Sequence, residues 1–155
     1  MQSAINEQIN LEMFSANTYL SMSAYFAQQG LDGFAHWYYM QYKEELAHAE
    51  DMMHYVITRG GKVEIKAVAA VETEFNSPLE IAEKAYHHEC LVSEKIENIV
   101  RIASEEKDMP SQDFFWKYIR EQVEEEANAT TLIDRIRLSE GHSLLFLDKE
   151  LGERK

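Results

Sequence analysis

Cysteine occurs once in this 155-residue chain, at Cys90, so no internal disulfide can staple the fold. Proline occurs only twice and glycine six times, and β-branched runs such as Val-Thr-Val are missing. Little in the chain therefore favours sheet or interrupts helix. No stretch approaches the roughly 18 consecutive apolar residues that a membrane span requires. The first residues, Met1-Gln-Ser-Ala-Ile-Asn-Glu7, lack both the basic region and the apolar run of a secretory signal. With a single thiol, that makes a reducing, cytoplasmic setting the expectation. Positive charge is also scarce: 15 Lys and Arg stand against 28 Asp and Glu, a formal net charge of −13. Such a chain repels a phosphate backbone and attracts cations, so neither nucleic acid nor membrane is an expected partner.

What is present is helix-forming sequence in amounts that fit one domain, 1–155, with a core of its own. Apolar side chains recur at three- and four-residue steps from about Ser3 to Gln29, and Gly30-Leu-Asp-Gly33 then stops the pattern. A second helix is predicted from about Phe34 to Thr58, ended by Gly60-Gly61. After a connector of about sixteen residues, Ser77-Pro78-Leu79-Glu80 combines a cap, a first-turn proline and a capping-box glutamate. The third helix continues to about Glu106, breaks at Lys107-Asp-Met-Pro110, and a fourth runs from about Ser111 to Leu138, closed by Glu140-Gly141. A short amphipathic fifth helix follows at about 143–152. Short turns make the first two and last two long helices antiparallel, and the long connector lets helices two and three run parallel. The expected fold is all-α: a four-helix bundle over about 3–139, roughly 40 Å long, built as two hairpins joined by a crossover.

Acids lie inside the apolar stripes. Helix one carries Glu12 among Ile5, Ile9, Ala16 and Tyr19, and helix three carries Glu89 among Ala82, Ala85, Val92 and Ile96. Helix two places Glu45-x-x-His48 on its stripe, and helix four places Gln122-x-x-Glu125. In an antiparallel hairpin, residues equally far from the turn stand opposite each other. Glu12 and His48 centre on position 30, and Glu89 and Glu125 centre on 107. The pairs 12 and 89, 44 and 121, 45 and 122, and 48 and 125 all differ by 77, so the chain reads as a pseudo-repeated hairpin with one polar layer. Four clustered carboxylates would repel and be poorly solvated, and two divalent cations would neutralise them. Carboxylates with one imidazole suit Fe(II), Mn(II) or Zn(II) better than a soft copper(I) site. With a histidine in one half only, one tight and one weaker position are expected.

These residues resemble those of the ferritin family, in particular the bacterial non-haem ferritins. The resemblance rests on Asn10-Leu-Glu12 with Tyr19, Glu44-Glu-Leu-Ala-His48, His88-Glu89, Glu121-Gln-Val-Glu-Glu-Glu126 and Phe146-Leu-Asp-Lys-Glu-Leu151. It implies that Glu12, Glu45 and His48 hold one iron, that Glu45 bridges, and that Glu89 with Glu125 or Gln122 serves a second. It implies a further nearby site from Glu44, Glu121, Glu124 and Glu125, and a tyrosine beside the centre at Tyr19. The implied activity is a ferroxidase that oxidises Fe(II) with dioxygen or hydrogen peroxide and stores ferric oxyhydroxide in the cavity of an octahedral 24-subunit shell. The tail, with Leu144, Leu145, Phe146, Leu147 and Leu151 beyond a completed bundle, is the expected source of self-association.

Related chains differ at readable positions. Bacterioferritin-like chains carry a second Glu-x-x-His and a haem-ligating Met after the helix-two Glu, whereas here Glu124 and Leu46 stand in the comparable places, so no haem is expected. Rubrerythrin-like chains need paired Cys-x-x-Cys motifs. Where animal ferritins place acids in a three-fold pore, this chain has Gln112 and Phe115. His36, His54, His87, His88 and His142 match no ligand position. The rival functions are a di-iron oxygenase or manganese catalase on a similar bundle, and a purely structural bundle.

Overall fold

The computed structural model describes residues 1–140 and 144–155. The expected stop at Gly141, the start of the tail helix at Ser143, and His142 lie outside the described residues. Among the described residues five helices follow in order: α1 (Gln2–Gln28), α2 (Asp32–Thr58), α3 (Pro78–Glu105), α4 (Met109–Ser139) and α5 (Leu144–Leu151). There is no strand among the described residues, and no helix there is long and apolar enough to cross a membrane.

Local chemistry sets the boundaries. At α3, Ser77 Oγ accepts from Glu80 N (3.1 Å) while the Glu80 carboxylate accepts from Asn76 N (2.6 Å). That is a capping box reaching one residue further back than the usual one. At α4 the break expected through Pro110 is instead a start. Asp108 caps the helix, accepting from Ser111 N (3.2 Å) and Ser111 Oγ (2.7 Å), and Pro110 sits in the first turn, where its missing N–H costs nothing. Helix α2 likewise begins two residues earlier than the pattern suggested and includes Gly33. The reason lies in the tail: a Cβ on Gly33 would stand 1.6 Å from the Asp148 carbonyl oxygen.

Cross-helix contacts give the topology. Ser23 Oγ donates to the Ala35 carbonyl across the first turn, and Arg137 pairs with Glu83 across the second hairpin. Between hairpins, Arg59 meets Asp108 while Gln41 meets Glu125, so α2 and α4 are antiparallel. The Met1 amino group reaches Glu106 while Tyr19 reaches Glu89, so α1 and α3 are antiparallel as well and α2 runs parallel to α3.

The core is divided. One cluster gathers Phe26, Phe34, Tyr38, Ile81, Leu132 and Ile136, and the other Ile5, Ile9, Met52, Ile96, Ile99 and Phe115. Glu12, Gln41, Glu45, Glu89 and Gln122 are all buried as well. Each large apolar side chain stabilises by roughly 2 kcal/mol, which offsets the cost of burying these acids. Phe115 belongs to the core, so it lines no pore.

Helix α5 departs from the expectation that its apolar side chains all await an outside partner. Leu147 and Leu151 are buried in the chain's own first cluster, with Leu144 packed against it. The Asp148 carboxylate accepts from Phe34 N (2.9 Å), fastening α5 to the N-terminus of α2, where unpaired amides and the helix dipole favour an anion. Only Leu145 (75 % exposed) and Phe146 (78 %) face outward.

Candidate metal centre

Helix α1 carries Glu12 to the bundle axis because the residue sits on the inward stripe with Ile9 and Ala16. Gln8, one turn earlier on the same face, donates to Glu12 Oε1 at 2.7 Å. Oε2 is buried with no hydrogen-bond partner among the described residues. A buried carboxylate oxygen left in that state is costly, and a cation is the ligand that would satisfy it. From α2, His48 Nδ1 lies 3.9 Å from that oxygen and 3.3 Å from Glu45 Oε2. Glu12, Glu45 and His48 each offer one donor atom, all within 4.8 Å of one another.

The other imidazole nitrogen faces outward. His48 Nε2 stands 3.5 Å from Glu121 Oε1, and Glu44, His48 and Glu121 form a second group of donors within the same 4.8 Å. Glu124 is exposed and belongs to neither group among the described residues. Helices α3 and α4 supply the remaining acids. Glu89 accepts from the Tyr19 hydroxyl and from Gln122 Nε2, the latter at 3.0 Å, and Glu125 accepts from Gln41 Nε2 at 3.0 Å. Gln122 thus turns its amide nitrogen toward Glu89, so it orients that carboxylate as a donor. Neither Glu89 nor Glu125 stands within the two donor groups, yet their charges reach Glu45. A cleft lined by Tyr19, Tyr38, Trp37, Gln41, Glu89 and Glu125 opens beside them.

The electrostatics are those of an under-neutralised acid cluster. Burial, then the charge of Glu45, holds the Glu12 carboxyl well above the usual range. Burial also raises Glu45 to about 8, with the charges of Glu89, Glu125 and Glu44 adding to it. Glu125 is raised to about 7 by burial and by the charge of Glu89, and burial raises Glu89. At His48, burial favours the neutral ring, but the hydrogen bond to Glu121 and the charge of Glu12 outweigh it and raise its affinity for a proton. Without a metal ion, the site therefore holds protons where a divalent cation would sit. The arrangement can bind hard, divalent cations through oxygen with one nitrogen donor.

Sequence reasoning named Glu12, Glu45, His48, Glu44 and Glu121, which the fold brings into two adjoining groups. It gave no role to Gln8, to Gln41, or to Arg154, which reaches Gln41 and Glu44 from the tail. The two glutamines were signalled by position, each lying four residues before an inward glutamate on the same helix face. Arg154 had no local signal, because only the docking of α5 brings it there. His88, assigned no ligand role, is held by Ser15 Oγ at 2.6 Å.

A family model described as a ferritin-like domain matches residues 2–139. The bacterial non-haem ferritin of Bacteroides fragilis (strain 638R) is 46 % identical over 99 % of this chain and 97 % of its own length. That of Staphylococcus aureus (strain MRSA252) is 36 % identical over 97 % of this chain and 92 % of its own. Among solved structures, an open pore ferritin from the hyperthermophilic archaeon Archaeoglobus fulgidus superposes with a TM-score of 0.98 at 44 % identity, covering 100 % of this chain and 97 % of the other. With that coverage of family, relatives and fold, a four-helix bundle with a short C-terminal helix is what this chain shares with them, and the chain belongs to the ferritin family.

Proposed function

We propose that this chain is an iron-storage subunit with ferroxidase activity, oxidising Fe(II) at an intrasubunit centre and storing ferric oxyhydroxide in the cavity of a 24-subunit cytoplasmic shell. The observation that carries the reading is the buried, unpartnered Glu12 Oε2 facing Glu45 and His48. Fe(II) is the substrate. Glu12, Glu45 and His48 Nδ1 hold one ion. Glu45, which also feels the charges of Glu89 and Glu125, bridges toward a second ion served by those two carboxylates. Two ions held side by side supply the two electrons that convert dioxygen to hydrogen peroxide, or hydrogen peroxide to water. Binding expels the proton that Glu45, raised to about 8, retains at neutral pH, and burial raises Glu12 in the same direction. Tyr19 and Gln122 keep Glu89 aimed, and Tyr19 stands close enough to the centre to take part in electron transfer. The Glu44, His48 and Glu121 group, with Glu124 and Glu125 nearby in sequence, serves a third, outer ion in transit. The names of the relatives, a bacterial non-haem ferritin and an open pore ferritin, support a ferritin's role for this chain.

The test is stopped-flow oxidation of Fe(II) by the assembled protein and its Glu45→Ala variant. Loss of the bridging carboxylate is expected to slow the initial rate by at least about tenfold. An unchanged initial rate would sink the assignment.

A further inference from the structure

Arg154 lies at the outer rim of the metal centre, although it comes from the residues that follow α5. Its Nη2 donates to Gln41 Oε1 at 2.6 Å and to Glu44 Oε2 at 3.0 Å. Its Nη1 donates to the Trp37 carbonyl at 3.2 Å, and its guanidinium carbon stands 4.3 Å above the Trp37 ring. His36 Nε2 holds the Arg154 carbonyl at 2.5 Å, so the backbone is anchored as well as the side chain. The arginine side chain is 21 % exposed and Glu44 33 %, an ion pair set into the surface and still within reach of water.

Arginine has only donors. The oxygen of Gln41 must therefore face it, which leaves the Gln41 amide nitrogen for Glu125. One guanidinium thus takes two oxygen donors that a metal ion could use, Gln41 Oε1 and Glu44 Oε2, and Glu44 belongs to the outer group with His48 and Glu121. We propose that Arg154 is a tethered counter-cation that a divalent ion at the outer Glu44, His48 and Glu121 position must displace, which keeps that position weak and its ion mobile. The inference rests on the metal-centre reading above. It makes Arg154 a positioning residue: it touches no reacting atom and acts through Glu44 and Gln41.

The probe is Zn(II) alone, titrated calorimetrically into the metal-free assembled protein, with the sites assigned by anomalous diffraction. Arg154→Met keeps an unbranched stem and removes the guanidinium and its charge. It is expected to tighten the outer position roughly three- to fivefold, the scale of a partly exposed ion pair, and to leave the inner position unchanged. Arg154→Lys should bring the outer affinity back toward the wild-type value, and adding Glu44→Gln to Arg154→Met should abolish the gain. A merely structural arginine would give weaker binding on removal, so an outer affinity that falls or stays constant overturns the inference, as does a parallel loss at both positions. Failure of the wild-type protein to bind Zn(II) at either position would overturn this inference and the metal-centre reading together, whereas normal binding that ignores Arg154 would overturn this inference alone.

Discussion

Gly30 and Lys107 stand 77 positions apart and adopt the same left-handed backbone conformation, with φ of 75° and 57°. Each is the midpoint of its hairpin, the residue about which Glu12 mirrors His48 and Glu89 mirrors Glu125. The offset extends to the helix ends. Helices α1 and α3 stop at Gln28 and Glu105, and α2 and α4 start at Asp32 and Met109. The two turns are therefore one device used twice, filled by glycine in the first and by a residue with a side chain in the second.

A lysine in that conformation is strained, because its Cβ crowds the following carbonyl, whereas glycine is not. Lys107→Gly is expected to stabilise the folded chain by about 1 kcal/mol, less the entropy that glycine adds to the unfolded state. Chemical denaturation of the metal-free protein measures it. A marked loss of stability would show that the Lys107 side chain contributes more than its backbone strain costs.

The acid cluster sets the pH dependence of the metal-free protein. Glu45 and Glu125 are raised to about 8 and about 7 from an ordinary 4.5, and Glu12 and Glu89 are raised too. Between about pH 4.5 and 8 the folded chain keeps protons that the unfolded chain releases, so unfolding releases protons and stability falls as pH rises. A divalent cation that replaces those protons reverses the trend. Saturating Zn(II) is expected to raise the unfolding temperature, and by more at pH 8 than at pH 6. A melting temperature indifferent to Zn(II) at both values would mean that no preformed site exists.

The two halves of the proposed centre are unequal. His48 supplies the nitrogen donor beside Glu12 and Glu45, whereas Gln122 turns its amide nitrogen to Glu89. Removing His48 deletes a direct donor, and removing Gln122 loosens one. His48→Ala is therefore expected to weaken the tight position by roughly 10- to 100-fold, and Gln122→Ala to weaken the other by less. Titration with Co(II), followed by its absorption bands, separates the two positions, and the reverse order would refute this assignment of roles.

Much of this was legible in the chain because periodicity and turn arithmetic are local properties that the bundle only repeats. Glu12, Glu45 and His48 stand on stripes of ordinary helical spacing, and equal distance from the first turn places Glu12 and His48 at one height, with Glu45 about one helical turn nearer. The helix starts at Asp32 and Met109 were harder, since Gly33 and Pro110 read as breakers when each belongs to a first turn. Gly33 is explained only by the close approach of Asp148, and Arg154 only by the docking of α5, both of which depend on residues more than 100 positions away. Sequence spacing carries no trace of such contacts.

The same docking decides what the tail can do in assembly. Leu147 and Leu151 are spent on the chain's own core, so the surface left for another subunit is Leu145 and Phe146, with Leu138 (86 % exposed) at the end of α4. Deleting α5 outright would strip that core and confuse instability with lost assembly. Leu145→Ser with Phe146→Ser removes the outward face alone, whereas Gly33→Ala, whose added Cβ would meet the Asp148 backbone, would displace α5 and strip the core as deletion does. The double serine change is expected to weaken iron retention and the proposed 24-subunit shell more than the initial oxidation step, because the proposed ligands all lie within one chain. Light scattering at neutral pH and moderate salt measures the shell, and single-turnover Fe(II) oxidation measures the centre. A wild-type chain that scatters as a monomer or dimer would refute the shell. A fall in initial oxidation as large as the fall in retention would show instead that the centre needs the neighbouring subunits to hold its geometry.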